Sequence, residues 1–153
     1  MMRLNRPLLR DERGASIIEL ALVLPFFATM VVGVTDISRA YSTKLQLEQS
    51  AYRAIEKVQQ YRSTESTFST LQTEAATAAG VPTSQVAVDY WLECNGTRQA
   101  SYDSTCSSGQ TTGRWITVDI TKTYTPLFAS SKWPGSNANG TYTIHGRAGL
   151  RTQ

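Results

Sequence analysis

Histidine and cysteine are scarce in this 153-residue chain, which has one histidine, His145, and two cysteines, Cys94 and Cys106. With no second cysteine pair, and with His145 distant from both, the set is too small and too scattered for a metal site. A glycine-rich phosphate loop, a pair of carboxylates spaced for acid–base work and a nucleophile elbow are also missing from the sequence. His145 falls in a predicted strand with no serine, cysteine or metal-ligand arrangement near it, so a surface or structural role is expected rather than catalysis. The expectation is a protein that is not an enzyme and needs no cofactor and no metal.

Basic patches interleaved with aromatics are lacking too, although the formal charge is +3. Arg3, Arg6, Arg10 and Arg13 stand against Asp11 and Glu12 in the first fourteen residues, and from Ala15 onward eleven Lys/Arg face ten Asp/Glu. The excess is therefore mostly topogenic, because arginines beside an apolar segment stay on the cytoplasmic side of a membrane. Nucleic acid is not an expected partner. Internal repeats and long low-complexity tracts are likewise absent, and the length suits one modest domain.

What the sequence does have is an uncharged run, Leu20 to Thr35. Together with Ala15 to Glu19 it gives a helix of about 31 Å, enough to cross the roughly 30 Å hydrocarbon core of a lipid bilayer. A cleaved secretory signal would be shorter and would end in a small-x-small site, whereas here Asp36 and Arg39 follow directly as interfacial charges. Pro25 removes one backbone donor inside the span, which predicts a kink or a helix–helix contact there.

Beyond the span the pattern becomes amphipathic. Ala40, Leu47, Ala51, Ala54, Val58 and Tyr61 share one helical face, Tyr41, Leu45, Tyr52 and Ile55 are expected to widen it, and the helix is predicted to run to about Arg62. A second helix is predicted from Thr64 to Ala79, ended by Gly80 and Pro82. Strands are then predicted over Gln85–Glu93, Arg114–Tyr124 and Thr141–Leu150, with Gly96 to Gly113 as a loop. Asn95-Gly-Thr97 and Asn139-Gly-Thr141 match glycosylation acceptors, but Asn-Gly is also a turn signal, which a bacterial source would favour. The fold expected is α+β: a long N-terminal transmembrane and amphipathic helix packed on a small antiparallel β-sheet of about three strands. Trp91, Trp115 and Trp133 read as core or edge packing. Cys94 and Cys106, in the half expected to be exported, read as a disulfide that closes a local loop and stabilises the fold by about 3 kcal/mol.

The most informative string is Arg10-Asp-Glu-Arg-Gly-Ala-Ser-Ile-Ile-Glu-Leu-Ala-Leu-Val-Leu-Pro25. Gly14, without a Cβ, permits unusual backbone angles and weakens helix locally. Glu19 places a carboxylate in an apolar helix, which costs on the order of 2.5 to 3.5 kcal/mol at the bilayer centre, so it needs a partner or a position near the interface. This string resembles a type IV prepilin junction, and its continuation looks like the TadE-like pseudopilins of bacterial tight-adherence (Tad/Flp) pilus systems. Farther on, Tyr124-Thr-Pro-Leu-Phe128 and a late strand with Arg147 are similar to the family in a weaker way.

The resemblance implies a pilin-like protein with a cytoplasmic leader over residues 1–14, a transmembrane helix over 15–37 and an exported domain over 38–153. A prepilin peptidase would cut between Gly14 and Ala15, and Glu19 would meet the new α-amine of a neighbouring subunit during assembly. The implied partners are that peptidase, other pilins and pseudopilins, and the inner-membrane pilus assembly platform. The implied place is the bacterial inner membrane, crossed once, with the C-terminal domain periplasmic or carried into the pilus. The implied role is a minor pseudopilin supporting assembly or initiation of a pilus used in surface attachment. The alternative is a bitopic surface-binding protein whose helix is only an anchor.

Overall fold

The computed structural model describes residues 15–60 and 65–152. The chain divides into two compact units, Met1–Ser38 and Arg39–Gln153. One helix, α1 (Ala15–Gln60), begins in the first and ends in the second.

In the first unit, every described side chain from Ser16 to Val31 is exposed, and almost all are apolar. Two threonine hydroxyls of this unit are taken up by the helix itself. Thr29 Oγ1 lies 2.9 Å from the Pro25 carbonyl and 2.8 Å from that of Phe26, and Thr35 donates to the Val31 carbonyl at 2.7 Å. Back-bonding of this kind pairs both threonine hydroxyls without a partner from outside the helix. The helix continues through Pro25.

In the second unit α1 turns one face to a core. Leu47, Ala51, Ala54, Ile55 and Val58 are buried, as is Ser50. Tyr41, Leu45 and Tyr52 do not widen this stripe as the sequence suggested: they are 61%, 39% and 57% exposed. At about 100° per residue they lie roughly 120–160° around the helix from Leu47, too far to reach the same core. A second helix, α2 (Glu65–Ala79), contributes Leu71, Ala75, Ala76 and Ala79. Alanines on both helices let the backbones approach, and the Ser50 hydroxyl, 2.8 Å from the Gln46 carbonyl, is also 3.2 Å from that of Ala78. Lys57 meets Glu74 at 3.0 Å, so the two helices run antiparallel. Gly80, at φ 65°, ends α2, where the Val81 amide donates to the Ala76 carbonyl.

The sheet is antiparallel with strand order β2-β1-β3-β4, formed by β1 (Val86–Cys94), β2 (Thr97–Arg98), β3 (Thr112–Tyr124) and β4 (Tyr142–Arg151). Four strands replace the expected three, because Asn95 (φ 52°) and Gly96 (φ 78°) make a two-residue turn that starts β2 inside the predicted loop. Two positive φ angles are what the tightest hairpins need, and Asn-Gly supplies them. On the helix-facing side lie Val86, Leu92, Ile116, Val118, Ile120 and Ala148. Gly146 lies among them, and a Cβ built on it would stand 2.4 Å from the Leu47 backbone. α1 therefore rests on β4 at a point where only glycine fits.

The disulfide joins Cys94 and Cys106 with Cα atoms 5.6 Å apart. It holds a loop whose Tyr102 is buried edge-on against Tyr90, with ring centroids 5.6 Å apart. Arg114 lies over the Tyr102 ring at 5.4 Å and donates to the Ser104 carbonyl at 3.2 Å, so the loop closes one end of the core. Reduction is expected to lower stability by about 3 kcal/mol, read as a fall in the urea midpoint of the full chain in detergent and accompanied by a mass gain of about 2 Da. An unchanged midpoint would mean that Tyr102 packing holds the loop without the covalent bond.

The opposite sheet face carries Trp91 and Trp115, which are therefore not core residues. They stack at 6.3 Å and 14°, with Arg98 over Trp91 at 4.8 Å and Arg151 over Trp115 at 5.9 Å. Glu93 accepts both indole N–H groups, at 2.7 and 3.1 Å. Arg98 also pairs with Asp89 at 2.8 Å, and that hydrogen bond raises its pKa further. His145 lies on this face as well, 3.2 Å from Asp119, which Arg147 reaches at 2.6 Å. Strict alternation along β1 and β3 sends these residues outward.

Candidate functional site

A helix N-terminus leaves its first amides unpaired and carries a partial positive charge, which favours a carboxylate nearby. α1 starts at Ala15 and Glu19 follows one turn later, so the two residues named at the junction come together at one helix end. Gly14 lies outside the described residues. Glu19 is exposed and forms no ion pair or hydrogen bond to another described residue. Its neighbours on the helix surface include Leu22 and Val23, 73% and 43% exposed.

From Ala15 to Thr35 Glu19 is the sole charged residue. The helix is long and apolar enough to cross a membrane, and none of its most apolar window is buried against the rest of the chain. Such a surface is covered by lipid or by other apolar helices, since apolar area of this extent is not left in water. The arrangement is thus a smooth apolar rod with one carboxylate near its start. Among the described residues no cluster of His, Cys, Asp and Glu could hold a metal ion.

Residues 14–55 match the family model described as TadE-like protein. The chain carries a TadE-like segment. The matched stretch begins at Gly14, includes Ala15, Glu19 and the whole uncharged run, and ends at Ile55 in the buried stripe of α1. It agrees with the likeness read from the junction. No curated protein and no solved structure matches the chain. The TadE-like match associates the chain with Tad pilus systems and with pilin-type partners in general, and together with the apolar helix it describes a membrane-anchored protein.

Cys94 and Cys106 lie on β1 and the following loop, in the second unit, and belong to the stability of the sheet rather than to the junction. Asp36 and Arg39 remain ordinary charges following the apolar run. Gly146 and Tyr102 were missed by sequence reasoning. A lone glycine inside a strand pattern marks close approach of another backbone, and an aromatic inside a Ser/Thr/Gly loop marks a point where the loop folds back.

Proposed function

We propose that this protein is a membrane-anchored minor pseudopilin that supports assembly or initiation of a Tad-type pilus, without catalytic activity of its own. The observation that carries this reading is the TadE-like match across Gly14, Ala15, Glu19 and an apolar helix with no cover from its own chain. A prepilin peptidase removes residues 1–14 at the cytoplasmic face of the inner membrane. The new α-amine of Ala15 then lies one helical turn from Glu19, and the amine of one subunit pairs with the Glu19 carboxylate of the next. The apolar helix docks beside the helices of other pilins and pseudopilins at the assembly platform, and the sheet is held on the periplasmic side. Stacking helices of this type requires both an apolar surface and a charge that fixes register, and α1 has both.

The first test is the N-terminal residue of the protein isolated from its own membranes. Ala15 is the expected terminus, and an intact Met1 or Met2 in mature protein would sink the processing step. The bitopic-anchor alternative predicts no cleavage at this bond and indifference to the charge at position 19.

A further inference from the structure

We infer that the outer edge of β4 is a docking edge for an extended segment of a partner protein in which apolar and carboxylate residues alternate. β4 ends the sheet on one side, so one of its two edges is paired with β3 and the other is open. The Thr152 amide donates to the Arg114 carbonyl at 2.8 Å, and from there the register assigns the bonds to β3 to Tyr142, Ile144, Gly146, Ala148 and Leu150. Thr143, His145, Arg147 and Gly149 turn their amides and carbonyls the other way. All four residues are exposed, and no described residue pairs with these backbone groups. Thr143 to Gly149 spans about 20 Å, which suits a partner strand of about seven residues.

The two edges of the sheet are treated differently. An open row of backbone groups templates further pairing, so edges are commonly blunted by short strands or by cover from other elements. The β1 side follows that rule. β2 is two residues long, the Gln99 amide takes the Leu92 carbonyl at 2.7 Å, and Gln72 Nε2 from α2 donates to the Val86 carbonyl at 2.8 Å. β4 is ten residues long, stays in register with β3 throughout and contains no proline. Its outer edge keeps the regularity that strand addition needs.

Charge selects the occupant. From residue 120 onward the chain has no Asp or Glu and four Lys/Arg, namely Lys122, Lys132, Arg147 and Arg151. On the outward face of β4, His145 and Arg147 share a single carboxylate, Asp119 on β3, at 3.2 and 2.6 Å. Arg147 makes that contact through Nε and its side chain is 70% exposed, so its two terminal nitrogens are left for a second carboxylate. A second copy of β4 would set basic residues against basic residues, which disfavours self-pairing. The other face of the strand is apolar: Ala148 is buried, and Ile144 and Leu150 pack on the core. A strand added at this edge sends alternate side chains to the two faces, so carboxylates belong on one side of it and apolar groups on the other.

The test uses the full chain in detergent and a capped heptapeptide alternating valine and glutamate, with hydrogen exchange resolved to single amides. The Thr143, His145, Arg147 and Gly149 amides are expected to exchange fast in the chain alone and to be slowed about tenfold or more by roughly millimolar peptide. The same peptide with lysine for glutamate, or with every amide methylated, is expected to slow none of them. His145→Pro removes one outward amide and leaves the bonds to β3 in place, so it should weaken peptide binding about tenfold with little change in the urea midpoint. Arg147→Glu should lose the preference for glutamate over lysine. No protection by the glutamate peptide would overturn the docking edge, and equal protection by both peptides would overturn its selection by charge. Protection that rises with protein concentration in the absence of peptide would make a second copy the occupant and overturn the acidic partner.

Discussion

Gly146→Ala is expected to destabilise the second unit by about 3 kcal/mol, the upper end of the range for overpacking a close contact. The added Cβ would stand 2.4 Å from the Leu47 carbonyl carbon and Leu47 Cβ, and 2.6 Å from the Glu48 amide nitrogen. Two of these three atoms are backbone, so no rotamer change relieves the clash and α1 must lift from β4. Lifting it opens the contact beneath Leu47 and Ala51, both fully buried, and weakens the packing of Ile120 and Ala148 as well. Gly149→Ala on the same strand is the control. Its Cβ meets only Thr117 Cγ2 at 3.2 Å and the Ile116 carbonyl oxygen at 3.6 Å, and a methyl group can yield. Urea midpoints of the two variants in detergent should differ clearly, with Gly146→Ala lower. If Gly149→Ala were equally or more damaging, α1 would not be seated on β4 at this point.

Glu19→Ala is expected to leave the protein in the membrane at normal levels while reducing piliation at least about tenfold. The insertion side follows from transfer energetics: removing a carboxylate from an apolar helix removes a cost on the order of 2.5 to 3.5 kcal/mol at the span centre and less near its end. Assembly goes the other way. An α-amine and a carboxylate about 4 Å apart attract by roughly 4 kcal/mol at an effective dielectric near 20, and even a third of that is about a factor of ten in an equilibrium. No described residue of the same chain pairs with Glu19, which leaves the carboxylate available to a neighbour. Glu19→Gln keeps the shape and a hydrogen-bonding group but not the charge, and should resemble the alanine variant if the amine is the partner. Normal pili in both variants would favour the plain anchor. Loss of the protein from the membrane would place Glu19 in insertion instead.

Local chemistry decided the first part of the chain. A helix needs no partner element for its own hydrogen bonds, so the apolar run from Leu20 to Thr35 could be read as a spanning helix, and Gly14, Ala15 and Glu19 gave it a likeness that the family match to residues 14–55 repeats. The stripe from Leu47 to Val58 and the alternation of Trp115 to Thr121 against Ile116 to Ile120 were legible for the same reason, since period alone assigns faces. Period does not say how wide a covered face is, however. Tyr41, Leu45 and Tyr52 were assigned to the core because they are apolar, and only the position of the sheet shows that the core ends before it reaches them. The same limit applied to the tryptophans: residue type suggested packing, but the register of β1 against β3 put Trp91 beside Trp115 on the outward face, between two arginines.

The sequence by itself thus determined an apolar helix long enough to cross a membrane, the order of the two helices and of three of the four strands, and the pairing of two cysteines that lie close along the chain. The tertiary structure decided which residues touch across long separations: Gly146 under Leu47, Tyr102 on Tyr90 and Ser50 on Ala78. The physical reason is that helix and strand periods are set by neighbours a few residues away. The approach of a helix to a sheet is set by side-chain volumes contributed from both ends of the chain at once, and no local pattern encodes their sum.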